Sequence, residues 1–201
     1  MDFILDFDFS ILNFIQEHFR CAFMDGAMSF FSYIGEAGLV WIVFSVVLLF
    51  FKKTRVIGIA SLAAMAITYA LNDLVLKQLI GRPRPFSDCY EQRLLSEADL
   101  IIKKPSGAGF PSGHSAIAGA VTTTMFLHNK KLGFCVLVPA LLVVFSRLYN
   151  YVHFPSDVLF GMLLGTVCGL VVALIFKKTG LEKRLSGDLK YKSEEREKKG
   201  N

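Results

Sequence analysis

The sequence predicts an all-α membrane protein, a polytopic helical bundle of about five transmembrane helices preceded by an N-terminal amphipathic interfacial helix. Its 201 residues are 53% hydrophobic and their mean hydropathy is +0.49, which is too apolar for an ordinary soluble domain. The apolar residues also come in long blocks, which flanking residues extend toward the roughly 20 residues that a membrane span needs. The predicted spans are centred on Leu39–Phe51, Val56–Leu76, Ser115–Leu127, Leu132–Phe145 and Val158–Phe176.

The N-terminal segment, residues 1–26, is predicted to lie on the membrane surface. Its apolar residues recur at helical spacing, while acidic and polar residues occupy the other side of the helix. Acidic residues also stand where a signal peptide would carry positive charge, so no signal peptide is expected. The alternative for the same pattern is a soluble helix packed against the rest of the domain. The apolar positions are Phe3, Phe7, Ile11, Phe14 and Ile15.

Two further regions complete the predicted organisation: a membrane-embedded domain over residues 27–177 and a basic tail over residues 178–201. From Lys177 to Asn201 there are nine Lys or Arg and five Asp or Glu residues, so this end carries +4 of the net charge of +5. Such a composition predicts a disordered tail that anionic lipid attracts. Nucleic-acid binding is not expected, because no folded basic face carries the charge.

A long connection, Gly81–Pro111, joins the second and third predicted spans, and its length suggests a function. It begins Gly-Arg-Pro-Arg-Pro, a sequence that cannot be helical, and a short helix is predicted within Tyr90–Ile101. Residues 21–38 contain three glycines, so a break is expected ahead of the first span.

Polar residues gather at three places along the chain, and the order of the spans brings all three to one side of the membrane. Basic turns at Lys52–Arg55 and Lys130–Lys131 lie on the other side, together with the basic tail. Basic connections mark the cytoplasmic side, so the polar groups are predicted to face outside and the C-terminus to be cytoplasmic. The polar groups are Lys77 and Arg84 after the second span, Ser112, Gly113 and His114 at the start of the third, and Arg147, His153 and Asp157 between the fourth and fifth.

The predicted cluster has the chemistry of phosphoryl transfer. Arg offers paired donors that match phosphate oxygens, Lys adds a point charge, and a helix that starts near Pro111–His114 directs backbone N–H groups at an anion. Asp157 falls in the first turn of a helix that begins near Pro155, where it can hold one nitrogen of His153. One histidine can attack phosphorus while another protonates the leaving oxygen. No cluster has the spacing of a metal site, so neither a metal nor a cofactor is expected.

Three motifs built from these residues together resemble the complete signature of the type 2 phosphatidic acid phosphatases. That superfamily includes membrane lipid phosphatases and soluble vanadium haloperoxidases, and the apolar spans disfavour the soluble kind. The motifs are Lys77 with Arg84-Pro85 after six residues, Pro111-Ser112-Gly113-His114, and Ser146-Arg147 with His153 after five residues and Asp157 after three more.

The resemblance implies a metal-independent reaction in which His153 is the nucleophile that forms a phosphohistidine and Asp157 orients it. It also implies that His114 is the general acid. Arg82 lies outside the motifs and receives no role beyond local charge. The residues implied to bind phosphate are Lys77, Arg84, Ser112, Gly113 and Arg147.

The predicted function is that of a membrane lipid phosphatase at the outer leaflet, with membrane lipids around it and a lipid phosphate as its substrate. Undecaprenyl diphosphate fits an outward-facing site best, and phosphatidylglycerophosphate and phosphatidate are the alternatives within the same class. The alternative of another class is a non-enzymatic transporter or channel in which Arg147, Asp73 and Glu36 form a polar path. The two classes differ in whether function tolerates the loss of His153.

Overall fold

The computed structural model describes residues 2–181 and 185, and every regular element within them is helical. This confirms the predicted all-α class. Short 3₁₀ turns at Glu36–Gly38 and Glu97–Asp99 punctuate the chain. The α-helices of this part are α1 (Asp2–Phe19), α2 (Ala22–Ile34), α3 (Leu39–Leu49), α4 (Arg55–Tyr69), α5 (Lys77–Ile80), α6 (Gly113–His128), α7 (Lys130–Tyr149) and α8 (Pro155–Lys178).

Three helices among the described residues are long and apolar enough to cross a membrane. They are α7, α8 and the continuous helix Arg55–Ile80, in which the π-helical residues Ala70–Leu76 join α4 to α5. A fourth candidate is α2 joined to Glu36–Leu49. Helix α6 has 16 residues, about 24 Å of helix, and it packs against α4, α7 and α8. The predicted membrane bundle is thus confirmed, with α6 as its short central helix.

The first predicted span is longer than its apolar block and bends by 48°. The sequence predicts a break over residues 21–38, but α2 fills most of that stretch and the break is confined to Gly35–Gly38. Ala37 and Gly38 have positive φ values of 50° and 71°, which an α-helix cannot contain. The glycines therefore mark a bend within one span and not the start of it.

Helix α8 packs against α6 through a face of glycines that lets the two backbones approach closely. Gly161, Gly165 and Gly169 repeat at a spacing of four residues, which places them on one side of the helix. A Cβ atom added at any of the three would come within 2.6 Å of a backbone oxygen in Ser112–Ala120. Small residues at this spacing let membrane helices associate by van der Waals contact, where lipid supplies little hydrophobic drive.

Helix α1 has two different apolar faces. Phe9, Leu12 and Ile15 are buried against the rest of the chain, as the alternative of a packed helix anticipates. Phe3 and Phe7 are 83% and 55% exposed, which keeps an aromatic surface available for a membrane interface. The predicted apolar stripe is therefore divided: part of it packs against the rest of the chain and part of it is exposed.

Two other expectations concern the long connection and the tail. The helix predicted within Tyr90–Ile101 is reduced to the 3₁₀ turn Glu97–Asp99, so that prediction is wrong in extent. The basic tail, residues 178–201, begins at the end of α8 and otherwise lies almost entirely outside the described residues.

The contact between α6 and α8 yields a stability prediction. Gly165→Ala should lower the thermal stability of the detergent-solubilised protein, because overpacking a tight contact costs about 1–3 kcal/mol. The control is Gly26→Ala in α2, where an added Cβ meets nothing within 4 Å and the change is expected to be neutral or stabilising. A thermal midpoint for Gly165→Ala at or above that of Gly26→Ala would contradict the packing described here.

Candidate active site

His153 and Asp157 meet where α7 ends and α8 begins, as the sequence predicts. Pro155 starts α8, which places Asp157 in its first turn. The backbone N–H of Phe154 donates to Asp157 Oδ2 at 2.8 Å, and the same oxygen lies 3.6 Å from His153 Nδ1. Both side chains are buried. The 3.6 Å gap is longer than a hydrogen bond, and catalytic contacts of this kind commonly tighten when substrate binds.

Arg84 approaches His153 from the opposite side of the ring. Its Nη1 atom lies 3.2 Å from His153 Nε2 and donates to the Val152 carbonyl oxygen at 2.9 Å. A guanidinium only donates, so Nε2 must be the accepting nitrogen and the ring proton belongs on Nδ1. That tautomer points its proton at Asp157 and leaves Nε2 unprotonated, as a nucleophilic imidazole requires; the Nε2 lone pair accepts from Arg84 here, so this guanidinium must release it before Nε2 can attack a substrate.

Charge and burial keep this imidazole neutral. Burial, followed by the positive charges of Arg84 and Arg147, holds the pKa of His153 well below its usual value. Burial also lowers the pKa of Arg84, to about 10, so this guanidinium is still charged at neutral pH. Arg84 has carbonyl oxygens as its other partners, with Gly107 at 3.1 Å and Ser106 at 3.2 Å, so no carboxylate hydrogen-bonds to it.

The other two predicted phosphate cations have different surroundings. Arg147, in the last turn of α7, is 2% exposed and donates to Ser32 Oγ. Lys77 forms a salt bridge with Asp73, four residues earlier. A Cβ atom on Gly113 would lie 3.4 Å from Lys77 Nζ, so Lys77 reaches the start of α6. The structure therefore brings Lys77 and Gly113 together, but with a carboxylate at the same place.

Ser112 and His114 flank Gly113 at the start of α6. The backbone N–H of Ser112 donates to the Asp157 carbonyl oxygen at 3.1 Å, and Ser115 Oγ donates to Ser112 Oγ at 2.9 Å. Ser112 thus joins α6 to α8, and its side chain caps α6. His114 Nε2 faces Glu36 Oε2 at 3.8 Å, across the bend between α2 and α3.

Two residues beside the site, Arg82 and Asp8, have roles that the sequence does not predict. Arg82 contacts Asp157 through a hydrogen bond of 2.6 Å, although the motifs gave it no role. Its partner on the other side is Asp8, a buried residue of α1. The proline-bounded sequence around Arg82 could have signalled an extended segment, but nothing in the sequence links it to a residue 74 positions earlier.

A cavity of about 600 Å³ opens beside the predicted phosphate-binding residues. Lys77 and Gln78 of α5 contribute to its wall, and the long connection provides the rest, including Arg82, Arg84 and Lys104. Among the described residues, no group of three or more His, Cys, Asp and Glu side chains could hold a metal ion. The chemistry available at this end of the bundle is therefore an imidazole nucleophile, a carboxylate behind it and cations around an open space.

Comparisons with known proteins agree with this arrangement. The PAP2 superfamily pattern matches residues 57–181. An undecaprenyl-diphosphatase of Sulfolobus acidocaldarius is 33% identical over 183 residues, which cover 90% of this chain and 82% of that relative. A bacitracin transport permease protein of Bacillus licheniformis is 30% identical over 120 residues, which cover 60% of this chain and 56% of that relative.

A solved structure is similar as well. The crystal structure of a transmembrane PAP2 type phosphatidylglycerolphosphate phosphatase from Bacillus subtilis matches with a TM-score of 0.70 and 27% identity. The match covers 89% of this chain and 88% of that structure. The PAP2 pattern covers most of the chain, and the similar proteins described above include an undecaprenyl-diphosphatase and a PAP2 type phosphatase. The chain therefore belongs to the PAP2 superfamily and is a membrane phosphatase of that superfamily.

Proposed function

We propose that this phosphatase hydrolyses a lipid phosphate or diphosphate ester through a phosphohistidine intermediate on His153, with undecaprenyl diphosphate as the leading substrate. The observation that carries the proposal is the placement of His153 between two groups, with Arg84 at Nε2 and Asp157 at Nδ1. The name of the Sulfolobus relative, an undecaprenyl-diphosphatase matched over 82% of its length, supports the choice of lipid. Phosphatidylglycerophosphate is the alternative that the Bacillus subtilis structure supports.

In the first step, His153 Nε2 attacks phosphorus and a nitrogen–phosphorus bond forms as the bond to the leaving oxygen breaks. The imidazole becomes positively charged, and Asp157 at Nδ1 stabilises that charge. His114 gives its proton to the leaving oxygen, so lipid alcohol or lipid monophosphate departs. In the second step, water gives a proton back to His114 and attacks phosphorus, which releases inorganic phosphate and restores His153.

The cations take the part that metal ions play in other phosphoryl transfer enzymes, so the reaction needs no metal. Arg84 and Arg147 stabilise the equatorial oxygens, and the N–H groups at the start of α6, near Gly113, add to this stabilisation. Lys77 is the point charge of the set, and substrate phosphate would compete with Asp73 for it.

The proposed orientation places this end of the bundle outside the membrane and the C-terminus in the cytoplasm. The basic turns at Lys52–Arg55 and Lys130–Lys131 and the end of α8 lie at the opposite end of the helices from the site. An outward-facing site meets lipids of the outer leaflet, where a carrier diphosphate released on that side would be found.

The alternative of a non-enzymatic transporter or channel is disfavoured by membership of the PAP2 superfamily, although the Bacillus licheniformis relative carries the name of a transport permease protein. A transporter and a phosphatase respond differently to the loss of His153. Transport through a polar path does not require a nucleophile, whereas hydrolysis through a phosphohistidine does.

Replacing His153 tests the proposed chemistry. His153→Ala should abolish phosphate release from purified lipid phosphates and should abolish acid-labile phosphoryl labelling, because His153 carries the phosphoryl group in the proposed mechanism. The assay contains a chelator, since no metal is needed, and compares undecaprenyl diphosphate, phosphatidylglycerophosphate and phosphatidate. The control is His18→Ala on the exposed side of α1, which should keep wild-type activity. Normal turnover in His153→Ala protein would reject the mechanism, and loss of wild-type activity in chelator would reject metal independence.

The pH dependence follows from the depressed pKa of His153. A histidine with a pKa lowered in the folded protein stays neutral, and therefore nucleophilic, below the pH at which an ordinary histidine takes up a proton. The kcat/KM of the wild-type protein, which reports the free enzyme, should show no acid loss between pH 7 and 6 after correction for substrate titration. An ordinary histidine nucleophile would lose about threefold between pH 7 and pH 6, and that loss would contradict the environment described.

Sidedness can be measured with an impermeant thiol reagent in intact cells. A variant that keeps exposed Cys89 as its only cysteine should react without permeabilisation, because Cys89 lies in the long connection at the site end. A cysteine-free variant carrying Lys53→Cys should react only after permeabilisation. The reverse labelling pattern would turn the site inward and would remove the outer-leaflet argument for the substrate.

A further inference from the structure

A chain of three charged residues, two buried carboxylates joined by a guanidinium that is 20% exposed, runs from the N-terminal helix to the site. Arg82 lies in its centre, with Nη2 donating to Asp8 Oδ2 at 2.8 Å and Nη1 donating to Asp157 Oδ1 at 2.6 Å. Asp8 is 1% exposed and Asp157 is 0% exposed, so both carboxylates are removed from water. A buried charge is tolerated when it is paired, and this guanidinium is the counter-charge that both carboxylates share.

Arg82 has two further contacts besides its two carboxylate partners. Its Nη1 atom also donates to Ser156 Oγ at 2.7 Å, and its guanidinium carbon lies 4.1 Å from the centre of the Phe154 ring. A guanidinium stacked over an aromatic face and bonded at both nitrogens has little rotational freedom. Its position in the fold is therefore fixed to within small displacements.

Asp8 also acts directly on the start of α8. Its Oδ1 atom accepts from the backbone N–H of Ser156 at 2.9 Å, and its Oδ2 atom accepts from Ser156 Oγ. The first N–H groups of a helix have no partners inside the helix, and a side chain usually caps them from the preceding residues. Here the cap comes from another helix, so α1 fixes the first turn of α8, in which Asp157 stands.

These contacts determine how the Asp157 carboxylate is oriented. Oδ1 is bonded to Arg82, and Oδ2 is bonded to the Phe154 N–H and faces His153 Nδ1. Because both oxygens are held, the plane of the carboxylate is set, and the oxygen that faces the imidazole cannot rotate away. An orienting carboxylate works only when it keeps the imidazole in the right tautomer and direction.

We propose that Asp8 and Arg82 are positioning residues for the phosphatase reaction, by which helix α1 sets the orientation of Asp157 and, through it, of His153. The inference rests on the proposed function of His153 and Asp157. It differs from a purely structural role of α1, because it assigns an effect on the chemical step and not only on stability. Neither residue hydrogen-bonds to His153 in the structure. Arg82 contributes to the wall of the cavity beside the cations and Asp8 does not, so a direct role in substrate binding is open to Arg82 alone and is tested through KM.

The experiment measures kcat and KM for Arg82→Ala, Arg82→Lys and Asp8→Asn on the lipid phosphate that the wild type hydrolyses fastest. Loss of a partner of this kind typically costs about 10- to 100-fold, so kcat of Arg82→Ala should fall by that factor while KM stays within about threefold. Arg82→Lys should recover part of the rate, since an ammonium can pair with Asp157 but cannot also hold Asp8 and Ser156. The rate of phosphohistidine formation should fall in parallel with kcat.

The double variant Asp8→Asn/Arg82→Ala tests whether Asp8 acts on the reaction through Arg82. Asp8→Asn alone should lower kcat, but in the Arg82→Ala background it should lower kcat no further or should raise it, because Asp8 there is an unpaired carboxylate near Asp157. The control is Arg93→Ala, which removes a cation from the same connection and breaks only the pair with Asp88, a residue that is 93% exposed. Wild-type kcat is expected for that control.

Three results would overturn the proposal. The first is an Arg82→Ala protein with undiminished kcat beside an active wild type, and the second is a rise in KM alone, which would make Arg82 a substrate ligand. The third is a loss of kcat in Arg82→Ala that does not occur in Arg82→Lys or in Asp8→Asn, when thermal unfolding in detergent shows that both of these variants are folded. A wild type that releases phosphate from none of the lipids would overturn the proposed function and this inference with it.

Discussion

The close contact between α6 and α8 is the constraint on which the rest of the site depends. Each helix delivers part of the site with its first turn: α6 begins beside Gly113 and His114, and α8 begins beside Asp157. The glycine face of α8 brings the two backbones together along their length, and the Ser112 N–H bonded to the Asp157 carbonyl oxygen joins their starts. Larger side chains on that face would separate the two halves of the site.

The three cations predicted to bind phosphate, Lys77, Arg84 and Arg147, are not equivalent in their surroundings. Lys77 is already neutralised by Asp73, whereas Arg84 has carbonyl partners and Arg147 has a serine hydroxyl. Charges paired with neutral acceptors keep their full electrostatic effect on an incoming anion, while a salt-bridged charge must first exchange its partner. In the proposed site the two arginines therefore supply most of the attraction for phosphate, and Lys77 contributes only after phosphate has replaced Asp73 as its partner.

The sequence could predict the helical class, the membrane spans and the meeting of His153 with Asp157, because apolar blocks and a proline at a helix start are local signals. It could not predict the role of Arg82. Asp8 stands in an amphipathic pattern where a polar residue is expected to face water, yet the structure buries it. Its burial depends on a partner far along the chain, and only the folded arrangement brings that partner to it. The sequence predicts a break ahead of the first span, whereas the structure has a bend at Gly35–Gly38. Glycines in a sequence do not show whether they end a helix or bend it.

The linked charges Asp8, Arg82 and Asp157 are synthesised at different times, which affects when the site can form. Asp8 and Arg82 are separated by 74 residues, and Arg82 and Asp157 by 75, so the three partners are synthesised early, midway and late. A nascent chain that has inserted only its first helices holds Asp8 and Arg82 without their third partner. Asp157, the residue proposed to orient His153, enters the membrane with the last helix. In the proposed mechanism a partly synthesised chain therefore lacks the carboxylate behind the nucleophile, and the site is complete only after α8 has inserted.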